Sequence, residues 1–135
     1  MGKKRSTTPR DELRLASISA ARMRWEMEML LQLRVARMSD GMVREWTPFR
    51  DRAFRFDFAW PNAGPCPVAL EVNGGIWSRG AHGSPTGILR DIEKQNLCTL
   101  RGIRLLRAAP EHIKSGVALD WLKEALGAIQ EQATP

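Results

Sequence analysis

Apolar positions recur at helical spacing from about residue 14 to residue 38. This stretch has no Gly or Pro and is rich in Met, Leu, Ala and Arg. It predicts a long helix with Met23, Met27, Leu30, Leu31 and Leu33 turned to the core. Ser39-Asp40-Gly41 should end it, with Gly41 as a left-handed cap. The pattern then changes to period two. A short strand is expected over residues 42–47 and a clearer one over 53–60, where Phe54, Phe56, Phe58 and Trp60 alternate with Arg55, Asp57 and Ala59. That alternation places the aromatics on one face. The run PNAGPCP reads as a turn, and residues 68–73 as a third strand with Val68, Leu70 and Val72 on one side and Glu71 on the other.

Glycines break that strand, and a Gly- and Pro-containing loop leads to a helix over about 86–101, capped by Gly102. The segment IRLLRA (103–108) predicts a last strand. A final helix over about 115–131 carries Leu119, Leu122, Leu126 and Ile129 as its apolar stripe. Helix, three strands, helix, strand, helix implies a single α/β domain with a mixed sheet flanked by helices. The first 13 residues read as a flexible basic arm ahead of a domain over 14–135.

Composition narrows the classes. At 135 residues the chain fits one domain, and 43% hydrophobic with 27% charged residues is ordinary for a globular protein. No apolar run is long enough to span a bilayer, so no membrane association is expected. No apolar stretch follows the basic start, so no secretory signal is expected. Cys66 and Cys98 lack metal-ligand spacing and read as free thiols in a reducing cytoplasm. The net charge of +6 favours a polyanionic partner. Residues 1–52 hold 12 Lys and Arg against 7 acids, a local excess of 5.

Two acids stand against the strand pattern. Asp57 interrupts the aromatic run RFDFAW, and Glu71 interrupts the aliphatic run VALEV. Asp is depleted inside strands, and an unpaired buried carboxylate is costly. If the two strands form a hairpin, the two carboxylates come side by side and repel unless a cation joins them. Hard divalent ions such as Mg²⁺ take such oxygen ligands and can polarise a phosphate or a water. The competing reading puts both acids on a solvated sheet face, paired with Arg55 or Arg104.

FRFDFAW followed by LEVNGG resembles the PD-(D/E)xK, or restriction-endonuclease-like, nuclease superfamily. Asp57 matches its Asp, and Glu71-Val72-Asn73 its Glu-x-Lys. DIEKQN and LRGIRLLR resemble the helix and strand that follow in small members, and the similarity spans roughly residues 20–110. The nearest branch is small phage and bacterial proteins similar to very-short-patch mismatch endonucleases. The resemblance implies a restriction-endonuclease-like sheet and a Mg²⁺-dependent DNA endonuclease in which Mn²⁺ can substitute. It implies metal ligation by Asp57, Glu71 and the Val72 carbonyl. It also implies a Glu from the first helix, where Glu26 fits the aromatic-Glu position better than Glu28. Asn73 departs from the pattern by standing where the superfamily has Lys. Lys94, from the next helix, is the candidate replacement, and a site that relies on the metal alone is the alternative.

His82 matches a region from which relatives recruit a base, and a surface loop His without a role is the alternative. Trp77 and Arg79 share its Gly-rich loop. With His82 and Arg55 they are the candidate DNA contacts, although Trp77 also suits a loop anchor. Asp91 and Glu93 read as acids at a helix start, His112 as a helix-start residue, and Glu45 as a reserve acid. Nicking, mismatch-directed and junction-resolving enzymes all fit this reading, and a homodimer suits a two-strand cutter. The alternative from another class is a non-catalytic nucleic-acid-binding module with a degenerate nuclease site.

Overall fold

The computed structural model describes residues 8–73 and 85–133. In chain order these form α1 (Pro9–Val35), β1 (Val43–Trp46), β2 (Phe56–Trp60) and β3 (Val68–Val72). They continue as α2 (Pro85–Leu100), β4 (Arg104–Ala108), α3 (Pro110–Ser115) and α4 (Val117–Ala133). The result is a small α/β domain with a four-stranded mixed sheet flanked by helices, in the order β1-β2-β3-β4. β1, β2 and β3 pair antiparallel. β4 pairs parallel to β3 after the crossover through α2. Among the described residues, no helix is long and apolar enough to cross a membrane.

α1 begins earlier than its apolar spacing predicts, because Thr8-Pro9-Arg10-Asp11 is a capping box. The Thr8 hydroxyl accepts from the Asp11 N–H at 3.2 Å, and the Asp11 carboxylate accepts from the Thr8 N–H at 3.1 Å. The helix also ends earlier. Met38 N–H donates to the Leu33 carbonyl at 2.8 Å and Arg37 N–H to that of Arg34 at 3.1 Å, a Schellman closure. Arg37 takes the left-handed position with φ 57°, so Gly41, although left-handed at φ 72°, serves the following turn and not the cap.

The inward stripe of α1 is Met29, Leu30 and Leu33, all buried, whereas Met23, Met27 and Leu31 are more than half exposed. Spacings of three and four residues carry the inward face back from Leu33 through Met29 to Glu26 and Arg22. A polar pair therefore occupies the position where the predicted methionines were expected.

The aromatic run of β2 is also divided. Phe58 and Trp60 join a core with α1, α3 and α4 that includes Leu70, Ile113 and Leu122. Phe56 instead joins Ala59, Ala69, Cys98 and Ile103, with Trp46 and Phe49 against them. Phe54 packs edge-on to Phe49 and so belongs beside Phe56. The strand changes allegiance at Asp57. Opposite it, between the pairs Arg44↔Phe58 and Trp46↔Phe56, Glu45 has φ 54°. A left-handed residue there interrupts the regular alternation. Both sides of β2 are covered, and every residue in it is buried. Asp57 therefore does not lie on a solvated sheet face, and Glu71 is only partly exposed.

α3 was not anticipated as a separate helix. Pro110 starts it and Gly116, at φ 86°, separates it from α4. On α4, Leu122 is buried and Leu119 and Leu126 pack beside it. The side chain of Ile129 lies outside the described residues. Because α2 begins at Pro85, Asp91 and Glu93 lie beyond its first turn, and Glu93 pairs with Arg52 instead of capping. His112 lies in the first turn of α3, where its Nδ1 accepts from the Ala109 N–H at 2.9 Å and its ring meets Trp121. Both cysteines are free thiols.

Candidate functional site

The β2–β3 ladder runs through Trp60↔Val68, Ala59↔Ala69 and Phe58↔Leu70. The next step brings Asp57 to the level of Glu71, and there the backbone pairing gives way. Asp57 Oδ2 accepts from the Val72 N–H at 2.8 Å, so a side chain takes over from the ladder. On the other side of β3, the parallel register sets Arg107 beside Glu71. Three charged residues of three adjacent strands thus share one level.

Helices supply their partners. Arg22 Nη2 donates to Asp57 Oδ1 at 2.8 Å and Arg22 Nε to Glu26 Oε1 at 3.2 Å. Both residues lie one turn apart on the inward stripe of α1, which is why one helix face reaches both carboxylates. From β1, Arg44 donates through Nη2 to Glu26 Oε2 at 3.4 Å and through Nε to the Asp57 carbonyl at 3.3 Å. Its guanidinium stands 4.5 Å from the Phe58 ring centre. From α2, Lys94 Nζ donates to the Arg55 carbonyl at 2.8 Å and contacts Glu71 Oε1. Lys94 also lies 4.5 Å from the Phe56 ring centre. Arg107 Nε is 3.8 Å from Glu71 Oε2.

Asp57 and Lys94 are the buried charged residues of the described chain, at 3% and 9% exposure. α2 turns Lys94 and Cys98 inward and leaves Ile88, Leu89 and Ile92 about half exposed or more. A helix that buries a lysine in preference to three large aliphatics has its orientation set by the ionic cluster as well as by apolar area. Burial pulls the Lys94 ammonium down to a pKa of about 8, reinforced by Arg107 and Arg22 and opposed by Asp57. Burial and the neighbouring Asp57 charge together raise the Glu26 carboxyl above its ordinary value.

The predicted residues separate into four groups. Asp57, Glu71, Lys94 and Glu26 come together in one cluster. Asn73 follows it directly, its N–H donating to the Ala108 carbonyl at 2.7 Å and extending the β3–β4 ladder past Val72. Arg55 contributes only its carbonyl; its exposed side chain pairs with Glu45 at 3.6 Å, which also takes Glu45 away from the cluster. Glu28 faces elsewhere and accepts from Gln32. Trp77, Arg79 and His82 lie outside the described residues.

Arg22, Arg44 and Arg107 were missed as members of the cluster. Arg22 stands four residues before Glu26, a spacing that suits an ion pair along the helix and does not by itself point to Asp57. Arg107 could be found only by knowing that β4 pairs parallel to β3 in this register.

Chemically, the cluster sets four cationic side chains (Arg22, Arg44, Lys94 and Arg107) against three carboxylates (Glu26, Asp57 and Glu71). Among the described residues, no group of three or more His, Cys, Asp or Glu is arranged to hold a metal ion. Fold and site together define a small mixed-sheet α/β domain centred on a largely buried carboxylate–cation cluster. Comparison of the chain with models of known families, with curated proteins and with solved structures finds no match.

Proposed function

We propose that this chain is a metal-dependent nuclease that hydrolyses phosphodiester bonds in DNA, on a restriction-endonuclease-like form of the mixed sheet. The observation that carries the reading is the meeting of Asp57, Glu71 and Lys94. Two carboxylates from adjacent strands face a buried lysine from the following helix, although Asn73 stands where a lysine would follow Glu71 in the motif. Two strand acids at one level beside a buried lysine whose pKa is lowered are the kind of arrangement that functional sites use.

The donor set fits a hard divalent ion. Mg²⁺ binds through one or two carboxylates together with water and substrate phosphate, not through an all-protein cage. Asp57, Glu71 and the Val72 carbonyl would hold it, and Mn²⁺ would substitute. Bound there, the ion supplies Lewis acidity toward the phosphate and toward water. Lys94, pulled down to a pKa of about 8, orients the attacking water, and its neutral amine accepts the proton that the water gives up. Arg22 and the Val72 N–H hold Asp57 in one orientation. Arg44 and Arg22 fix Glu26 at the edge of the site. The basic first half of the chain supplies general attraction to the DNA backbone. Nicking and structure-specific cutting, including junction resolution, are the proposed modes. The outward Met23, Met27 and Leu31 of α1 support a homodimer as the assembly.

A second reading, a binding module without catalysis, draws on one observation: Asp57 is already satisfied by Arg22 and the Val72 N–H. Cleavage of labelled linear, mismatched, flapped, four-way and single-stranded DNA decides between them. The assays use Mg²⁺, Mn²⁺ or EDTA with the native chain, Asp57→Ala, Glu71→Ala and Lys94→Ala. The nuclease reading expects metal-dependent cutting that both acid variants abolish and Lys94→Ala reduces by about a hundredfold or more. Salt-sensitive DNA binding without cutting by any of the four proteins establishes the binding module.

A further inference from the structure

We infer that Arg107 is the anchor for a phosphate group, holding two of its oxygens beside Glu71. Arg107 Nε and Nη2 are shut off from solvent and have no hydrogen-bond partner among the described residues. The neighbouring Glu71 Oε2, 3.8 Å from Nε, is an electrostatic neighbour beyond hydrogen-bond reach. Glu71 is committed elsewhere, since its Oε1 contacts Lys94. A guanidinium keeps its charge at any ordinary pH, so Arg107 cannot relieve unmet buried donors by losing a proton. Buried donors without a partner in the chain call for one from outside it, a water or an anion.

The ligand's chemistry follows from shape and charge. Nε and Nη2 lie on one edge of the planar fork and can donate in parallel to two oxygens of one tetrahedral anion. Four cationic side chains, Arg22, Arg44, Lys94 and Arg107, surround three carboxylates, Glu26, Asp57 and Glu71. The excess is positive and selects an anion. The Arg107 side chain is about one-third exposed although Nε and Nη2 are not, so a phosphate reaches that edge from the exposed part of the residue by displacing the side chains that cover it. Phosphate, free or within a nucleic-acid backbone, meets these requirements. The assignment of that phosphate to DNA rests on the nuclease reading; the anion site itself does not.

The test titrates inorganic phosphate, and separately a dinucleotide whose one phosphate is a diester, into the full chain at low salt, followed by calorimetry and phosphorus NMR. The proteins are the native chain, Arg107→Gln, Arg107→Lys and Arg104→Gln, an exposed arginine of the same strand that gives the same charge change. Binding by the native chain should weaken about tenfold or more in Arg107→Gln. It should weaken less in Arg107→Lys, which keeps the charge and loses the fork. It should change less than about twofold in Arg104→Gln.

If the native chain binds neither probe, or if Arg107→Gln binds as well as native or no worse than Arg104→Gln, the inference is overturned. Should Arg107→Gln fail to fold, Arg107→Lys against the native chain carries the same comparison. Binding of inorganic phosphate alone keeps the anion site and removes its assignment to a nucleic-acid backbone. Cleavage is assayed in parallel. A chain that binds phosphate through Arg107 and cuts nothing keeps this inference and loses the nuclease reading. DNA cutting with an unchanged KM in Arg107→Gln does the reverse.

Discussion

Three rows of side chains cross the central strands within a few residues of one another, and they are held by different physics. Ala59, Ala69 and Leu105 form one row, and Phe58, Leu70 and Leu106 the next. Both are apolar, and their backbones stay in the ladder. One step further the row is Asp57, Glu71 and Arg107, and the β2–β3 pairing there passes from backbone to the Asp57 carboxylate. Apolar rows need only close packing, which is non-directional. The charged row needs each partner in place, because a buried charge without one is costly. Stability should therefore concentrate in the apolar rows and function in the charged one.

Leu70→Ala tests the first half of that contrast and should have the largest effect on folding. Leu70 is fully buried in the row shared with Phe58. Its truncation is expected to cost about 2–5 kcal/mol, read as a lower urea midpoint with an unchanged slope. A loss below about 1 kcal/mol breaks the comparison at its stable end.

Asp57→Asn tests the other half. Volume is nearly unchanged, but the new amide can place a donor against the Arg22 guanidinium or the Val72 N–H, both of which are themselves donors. The expected cost is about 1–3 kcal/mol, below that of Leu70→Ala, and the nuclease reading adds loss of all metal-dependent cutting. Urea denaturation and the cleavage panel read the two effects separately. If Asp57→Asn destabilises the fold more than Leu70→Ala, the charged row is primarily a structural element.

These rows also show what the sequence could and could not reveal. Asp57 and Glu71 were legible because a carboxylate in an apolar strand demands a reason, and Lys94 because the motif lacked a cation. The capping box at Thr8 was equally legible, but the apolar spacing drew attention further along the helix. The division of the phenylalanines was not legible. It depends on a left-handed Glu45 on a neighbouring strand, a residue type with no local preference for that conformation. Glu26 is legible as a candidate, whereas the inward Arg22 is hidden because Met23, Met27 and Leu31 compete for the inward face in an amphipathic reading. Arg44 and Arg107 reach the cluster only through strand register, a long-range property that periodicity does not encode.

Lys94→Met sharpens the comparison through pH. The folded-state pKa of Lys94 is about 8, and that of an unfolded lysine is about 10.4. Between these values the unfolded chain binds more protons, so stability contributed by this group rises with pH through that window. Below about pH 8 both states are protonated, and the unfavourable burial of the charge is present in full. Lys94→Met should lack the rise, as measured by urea denaturation from pH 7 to 10. A Cys98→Ala background keeps the buried thiol, itself raised by burial, from titrating in the same range. In the nuclease reading the cleavage rate of the native chain increases through about pH 8, and that inflection disappears in the variant.

The smallest expected effect belongs to Glu26→Gln, at the margin between the two kinds of row. Glu26 is held by Arg22 and Arg44 at 3.2 and 3.4 Å, but burial and the adjacent Asp57 charge raise its pKa. A carboxyl raised in the folded state binds more protons folded than unfolded. The stability it contributes is therefore present at low pH and is lost as pH rises from the unfolded value toward the folded one. Glutamine carries no titratable proton and can still accept from Arg22. Glu26→Gln should thus lie within about 0.5 kcal/mol of native near neutral pH and lose that part of the acid-limb slope. Urea midpoints from pH 4 to 7 for both proteins measure it. A loss at neutral pH as large as that of Asp57→Asn would place Glu26 among the groups that hold the row together. A flat difference across the whole range would mean that Asp57 and Glu26 do not repel each other across the site, and that Arg22 alone fixes their charge states.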